Sequence, residues 1–302
     1  MLRRARRYFA QQDLLEVDVP FLSGAAVSDP NIASLEVTTS LSPGTPRFLH
    51  TSPEYAMKRL LAAQFPDIFF IGRVFRDGEA GRHHQPEFTM IEWYRRDYAL
   101  DDIIADSESL LTTLLGDDAL PEPSQQITYR EAFTSNIGVD PLTASLPELI
   151  QAATADDELQ RALGDDRNAW LDLLLSTRVA TAFPQERLTI VTHYPASQAA
   201  LARLTPGDSA LADRFEVFAG ACELANGYVE LTDSEEQRRR FTKDQDRRRS
   251  SGAMIRPVDD RLLAALEAGL PPCAGVAVGF DRVVALALGV DDIRDVYHFP
   301  WS

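Results

Sequence analysis

Residues 2–12 alternate apolar and basic positions at helical spacing and read as an amphipathic helix, followed by a short strand at Leu15–Val19 that Pro20 ends. Ser52-Pro53-Glu54 carries the signals of a helix start. Serine can cap, proline suits the first turn, and glutamate favours the positive end of the helix dipole. That helix is expected to run to about Gln64. Ile68–Phe75 is apolar and aromatic, a buried strand, and Glu87–Arg95 reads as a second one. The polar, glycine-containing stretch 76–86 joins them, so the pair makes a long hairpin with a highly charged loop. Beyond it the pattern predicts a helix over 100–115, then an acidic, mostly helical stretch over 117–185 with loops at Pro121–Ser124 and Asp140–Pro141. Strands resume at Leu188–His193 and within 214–232. Helices over 234–251 and 258–268 lead to a strand at Gly275–Val278 and a closing helix at Asp281–Leu288. Strands at both ends with helices between them predict an α+β fold, an antiparallel β-sheet flanked by helices, rather than a doubly wound parallel sheet.

Length and composition change this picture little. The 302 residues are 45% hydrophobic and 25% charged, enough for a full core in an ordinary globular chain. The longest apolar stretch near the C-terminus, around Val283–Leu288, falls far short of the ~18 residues of a membrane span. The basic start, residues 1–9, leads into no apolar core or cleavage site, so no secretory signal is expected. Cys222 and Cys273 form neither a disulfide framework nor a metal-ligand spacing, which fits a reducing cytoplasm. The net charge of −16 matters more. Phosphate is neutralised by Lys and Arg, so an acidic chain points away from nucleic acid and towards a partner with a basic face, although a local basic patch is compatible with it.

Three segments carry candidate chemistry. Strand alternation puts Phe88, Met90, Glu92 and Tyr94 on one face of Glu87–Arg95, and a carboxylate among aromatics suits either a site or a solvated surface strand. Glu216, with Glu223-Leu224-Ala225-Asn226-Gly227-Tyr228-Val229-Glu230, offers paired carboxylates of the kind Mg²⁺ takes beside polyphosphate. Such glutamates are also common in any acidic protein. Gly275, Ala277 and Gly279 leave one face of a strand nearly bare, the mark of a closely approaching ligand or of tight packing, and Arg282 falls in the first turn of the next helix.

In combination these segments resemble the class II lysyl-tRNA synthetases over essentially the whole chain. Residues 75–94, with Phe75-Arg76 and Arg82-His83-His84-Gln85-Pro86-Glu87-Phe88, look like motif 2. Gly275–Arg282 looks like motif 3, the helix ending near Val19-Pro20 like motif 1, and Glu223–Leu231 like the lysine-specific segment. The resemblance implies one catalytic domain over 1–302, with 117–185 as a helical insertion between motifs 2 and 3. It implies Arg76 and Arg282 as catalytic residues. Arg76 would bridge the substrate carboxylate and the α-phosphate of ATP. Arg82, His84 and Glu79 would contact ATP, Phe88 would stack on adenine with Arg282 over its other face, and Leu224 and Gly279 would complete the nucleotide site. Glu216 and Glu223 would hold Mg²⁺. Ser52, Glu54, Asn226 and Ala277 would line the amino-acid site, with Glu54 on the α-amino group and Asn226 helping to orient the carboxylate, while Glu92, Glu230 and Tyr94 would receive the ε-ammonium of lysine. A site built to pair a buried charge rejects analogues lacking it by roughly 10⁴ or more.

Motif 1 falls within the first twenty residues, which leaves no room before it for an anticodon-binding OB-fold. The chain therefore resembles most the synthetase-derived lysine ligases of translation elongation factor P, with residues 81–95 and 194–202 as the closest local matches. The resemblance implies elongation factor P as acceptor, (R)-β-lysine in preference to α-lysine, and a homodimer. Ala277 stands where related synthetases have glycine. Overpacking by one methyl costs about 1–3 kcal/mol, enough to tilt the choice between lysine isomers, and neutral drift on a packed strand is the alternative. Two departures stand out: Glu79 is displaced by one position from the motif 2 pattern, after Gly78, and Gln85 replaces the usual asparagine. The arginines at 238–240 and 247–249 suit a solvated helix face better than an acceptor-docking patch. A minimal enzyme acting on tRNA and a non-catalytic regulatory protein are the competing readings. The presence of both Arg76 and Arg282 with Glu216 and Glu223 opposes the second.

Overall fold

A computed structural model describes residues 1–116, 119–250 and 252–301. The first two positions of the expected acidic stretch, 117 and 118, the expected helix end at 251, and residue 302 lie outside the described residues.

In chain order the elements are α1 (Leu2–Gln11), β1 (Leu15–Glu16), β2 (Leu22–Ser23), β3 (Glu36–Val37), β4 (Arg47–Leu49), α2 (Glu54–Ala62), β5 (Ile68–Phe75) and β6 (Glu87–Arg96). Helix α3 (Leu100–Leu115) leads to β7 (Gln125–Thr128) and to α4 (Tyr129–Ile137), α5 (Leu146–Ala153), α6 (Asp157–Leu163) and α7 (Arg167–Leu174). Then come β8 (Leu188–Pro195), β9 (Leu204–Thr205), β10 (Asp208–Ala219) and β11 (Cys222–Val229). The chain continues through α8 (Ser234–Ser250), α9 (Asp260–Gly269), β12 (Cys273–Gly279) and α10 (Phe280–Leu288).

The main sheet runs β1-β5-β6-β12-β11-β10-β8-β7, with β9 beside β10, and β2, β4 and β3 form a separate small sheet. Every pairing from β5 to β8 is antiparallel, as expected. The two edges are parallel, β1 on β5 and β7 on β8. Strand β7 was not expected in a mostly helical stretch; four residues with a single strongly apolar side chain give little sequence signal, and pairing with β8 completes their backbone bonds. The strand expected over Leu15–Val19 shortens to two residues. Val17 adds one bond to Phe69, and the chain then departs to bury Val19 with Met57 and Leu61.

Period-two alternation divides the sheet. One face packs on α1, α3 and α10 through Phe9, Trp93, Ile103, Leu110, Val276 and Val283. Asp106 of α3 anchors that layer by accepting from Tyr8 Oη at 2.5 Å, Trp93 Nε1 at 3.0 Å and Arg95 Nε at 2.8 Å. The opposite face is covered at one end by α2 and α9, where Phe70, Met57 and Leu266 meet. At the other end α4 and α7 have their own core of Tyr129, Phe133, Trp170 and Leu174 against Val191 and Tyr194. Between these covers the strand register sets Phe70, Glu92, Ala277, Asn226 and Glu216 in one row and Ile68, Tyr94, Gly275, Tyr228 and Arg214 in the next. The middle of both rows is left open to a cleft.

Helix α8 corrects the reading of its arginines as a solvated face. Arg248 is buried and donates to the main-chain oxygens of Ser28, Asp29 and Ile32, and Arg240 donates to those of Ala200 and Ala202. Arg238, Arg239 and Arg249 do remain exposed, as that reading expects.

Candidate active site

Helix α2 begins beside the sheet. Ser52 Oγ accepts from the Glu54 N–H at 2.9 Å and donates to Glu92 Oε2 at 2.7 Å, so the helix start is tied directly to β6. Tyr94 Oη donates to Glu92 Oε1 at 2.7 Å. Glu92 is 2% exposed, which rules out a solvated surface strand. Tyr228 Oη donates to Glu54 Oε1 at 2.6 Å. The same oxygen receives Lys58 Nζ at 2.6 Å, and Lys58 Nζ stands 2.5 Å from Glu230 Oε2. Glu230 Oε1 has no hydrogen-bond partner among the described residues.

Three carboxyl groups thus stand around one ammonium, with Glu92 and Glu230 buried. Burial, and next the charge of Glu54, pushes the Glu92 carboxyl up to about 8. Burial raises Glu230 as well, with Lys58 opposing the rise. Gly275 makes the crowding possible: a Cβ there would stand 2.5 Å from Tyr94 Cε1 and 2.7 Å from Glu230 Oε1. Its absence of a side chain serves close approach by neighbouring side chains. Ala277, in register with Glu92 and Asn226, places its methyl on the floor between them.

The second half of the cleft is cationic. The Arg76 guanidinium lies 5.2 Å above the Phe88 ring and 3.7 Å from Glu79, and its buried Nε has no partner among the described residues. Gly78, at φ +78°, turns the loop so that the displaced Glu79 still comes back to Arg76. Arg282, from the first turn of α10, donates to the Glu223 main-chain oxygen at 2.8 Å and to His84 Nε2 at 2.7 Å. Burial and then Arg282 lower the His84 pKa, keeping its imidazole neutral so that Nε2 accepts. At Gly279 the nearest atom to an added Cβ is Arg282 Cδ at 3.6 Å, so this glycine leaves space that no protein group fills. Leu224 is buried below it. Gln85 is buried too, and accepts from the Trp301 N–H at 2.7 Å.

Glu216 accepts from Arg214 Nη2 at 2.6 Å, and burial followed by the charge of Glu223 pushes its carboxyl up to about 7. Two mutually repelling carboxyl groups lining the cleft beside Arg76 and Arg282 fit a divalent ion. Among the described residues no three His, Cys, Asp or Glu side chains converge on a metal position, so such an ion would draw further ligands from phosphate and water.

A cavity of about 650 Å³ joins the two halves, and the predicted site residues all line it except Arg82. Arg82 is largely exposed and bonded to Asp291, through the main-chain oxygen at 3.1 Å and the carboxylate at 3.2 Å. Sequence reasoning missed Lys58 and the tie from Tyr228 to Glu54. It also missed the part-buried chain in which Gln198 Nε2 donates to Asp172 of α7 at 2.6 Å, while the Gln198 main-chain oxygen receives Arg214 at 2.5 Å. Only the i,i+4 spacing of Glu54 and Lys58 hinted at the first.

Residues 1–302 match the family model of class II tRNA synthetases (D, K and N) throughout. The chain belongs to this family. As a class II synthetase it is 44% identical, over 299 residues, to the elongation factor P–(R)-β-lysine ligase of Proteus mirabilis (strain HI4320), covering 98% of this chain and 91% of that protein. It is 43% identical to the ligases of the same name from Klebsiella pneumoniae (strain 342), over 99% of this chain and 92% of that protein, and Sodalis glossinidius (strain morsitans), over 97% and 90%. A class II synthetase uses ATP, and the open strand face with its two arginines is the part of this chain suited to receive it. No helix among the described residues is long and apolar enough to cross a membrane.

Proposed function

We propose that this class II synthetase activates a lysine, (R)-β-lysine by preference, as its adenylate and transfers the acyl group to a lysine side chain of translation elongation factor P. The observation that carries the reading is an excess of carboxyl groups: among the described residues Glu54 and Glu230 share Lys58 while Glu92 is held by Ser52 and Tyr94, so the pocket is matched by a ligand with two ammonium groups. The ligand's carboxylate would meet Arg76 at the other end. The names and extents of the relatives support both the amino acid and the acceptor. The methyl of Ala277, beside Glu92 and Asn226, supports a shifted backbone such as that of a β-amino acid.

In the first step a substrate carboxylate oxygen attacks the α-phosphorus of ATP in line, the α–β bridging bond breaks, and pyrophosphate leaves. No protein nucleophile is needed. Arg76 and Arg282 neutralise charge gathering on the phosphorus centre, and the buried carboxylates hold the amino acid at the attacking distance. In the second step the neutral ε-amine of the acceptor attacks the adenylate carbonyl, AMP leaves, and the amine gives up one proton as the amide forms. Glu216 and Glu223 would hold Mg²⁺, which would screen the phosphate charges when bound. Roles for Glu79, His84, Phe88, Leu224 and Gly279 around the nucleotide belong to the same proposal, as do a homodimer through the α1 region and a single catalytic unit with 117–185 as its insertion.

The test is amino-acid-dependent ATP–pyrophosphate exchange with α-lysine and (R)-β-lysine, followed by transfer to purified elongation factor P or to tRNA. Preference for (R)-β-lysine with labelling of the protein is the expected result. Preference for α-lysine with labelling of tRNA would make the enzyme a minimal lysyl-tRNA synthetase. Replacing Arg76 by Ala should lower exchange by about 10²–10³-fold or more. Unchanged exchange would overturn the site.

A further inference from the structure

Lys58 does not line the cavity; it stands behind the wall that Glu54, Tyr228 and Glu230 make. Its ammonium is 2.6 Å from Glu54 Oε1, 2.5 Å from Glu230 Oε2 and 5.5 Å from the Tyr228 ring centre, and the residue is 2% exposed. A buried ion pair seldom adds net stability over an apolar pair of the same volume, so packing alone gives poor reason for a lysine here. Its placement has a consequence for the cavity. Glu230 is clamped through Oε2, which leaves Oε1 without a partner and 2.7 Å from the Cβ position of Gly275, on the floor of the lysine pocket.

The geometry points to Lys58 as a positioning residue for the amino acid: an internal counter-ion that holds the Glu54 and Glu230 carboxyl groups in place through one oxygen each and leaves Glu230 Oε1 facing the pocket floor. This rests on the activation of a lysine-type substrate proposed above. The charged and titratable groups around Glu230 are Lys58 and Glu54 from α2, Glu92 and Tyr94 from β6, Tyr228 from β11 and Cys273 from β12. Lys58 is the only cation among these. Without it, no fixed positive charge would oppose the rise that burial imposes on the Glu230 carboxyl. The enzyme would then lose more protons than the wild type on binding substrate, and binding would weaken most at low pH.

The variants are Lys58→Met, which keeps the volume and removes the charge, and Lys58→Arg, which keeps the charge. Lysine-dependent exchange is measured against pH at saturating ATP, with wild type alongside. For Lys58→Met the expected result is a KM for the amino acid raised about a hundredfold, with kcat changed far less. The acid limb of kcat/KM should move up by about one pH unit or more. Lys58→Arg should return the limb to the wild-type position even if its KM is raised by its size. A folded Lys58→Met protein with an unmoved limb and unchanged KM overturns the proposal. If Lys58→Met does not fold, the double variant Lys58→Met/Glu230→Gln removes the orphaned carboxylate and should restore cooperative urea unfolding; failure to restore it also overturns the proposal. A wild type without lysine-dependent exchange refutes the activation reading and this inference with it, whereas an active wild type with an unmoved Lys58→Met limb refutes this inference alone.

Discussion

At the scale of single residues, three small side chains on one strand do three different jobs. Gly275 is crowded by Tyr94 and Glu230, Gly279 faces space, and Ala277 carries a methyl between two site residues. A Gly275→Ala change must push the Tyr94 ring or the Glu230 carboxylate aside, an overpacking cost of about 1–3 kcal/mol. It should therefore lower Tm and raise the KM for lysine at least tenfold, because the displaced groups belong to the amino-acid pocket. Gly279→Ala meets nothing closer than 3.6 Å and should leave Tm nearly unchanged while raising the KM for ATP. The two variants, compared by thermal melting and by exchange kinetics in each substrate, separate the two uses of glycine. Equal Tm losses would show that the strand is stripped for packing alone.

At the scale of elements, the layers on the closed face of the sheet are held by a polar node as well as by apolar burial. Asp106 takes hydrogen bonds from Tyr8 of α1 and from Trp93 and Arg95 of β6, and Arg95 is 4% exposed. Asp106→Ala would leave Arg95 with Asp67 at 3.5 Å as its remaining carboxylate, would strand the Trp93 donor, and would leave Tyr8 only the main-chain oxygen at 106. Breaking a buried pair from one side costs about 3–5 kcal/mol, so the urea midpoint should fall accordingly; a loss near zero would mean that water replaces the carboxylate. The elements themselves were legible where a period was strong. The β5–β6 hairpin, the bare strand β12 and the alternation that puts Glu92 and Tyr94 together follow from spacing two, and α3 and α10 from spacing 3.6. Less legible was whatever depends on distant partners. Lys58 reads as half of an exposed i,i+4 pair until Tyr228 and Glu230, some 170 residues on, close over it. The arginines of α8 read as a solvated face until the loop at residues 28–32 supplies carbonyls for Arg248. Arg82 resembles a phosphate ligand in sequence, yet Asp291 near the C-terminus holds it outside the cavity.

At the scale of the whole molecule, an acidic chain buries Glu92 and Glu230 in the cleft that receives the ligand, and this makes stability and binding depend on pH in linked ways. Burial pushes Glu92 up to about 8 and also raises Glu230, from an ordinary value of 4.5. A carboxyl whose folded pKa lies above its unfolded one holds extra protons in the native state. Its contribution to stability is complete below the unfolded value and is lost as pH rises through the folded one. The ligand-free protein should accordingly lose Tm between about pH 5 and pH 8 through these groups. A ligand bringing two ammonium groups favours the ionised carboxyls, so binding near neutral pH must release protons and must tighten as pH rises towards 8. Titration calorimetry of lysine in two buffers of different ionisation enthalpy reads this directly. The apparent binding enthalpy should differ between buffers in the sense of proton release, and a lysine-saturated sample should melt with a flatter pH dependence than the free protein. Proton uptake, or identical enthalpies in both buffers, would mean that Glu92 and Glu230 are already ionised before the substrate arrives, and that Lys58 alone balances the pocket.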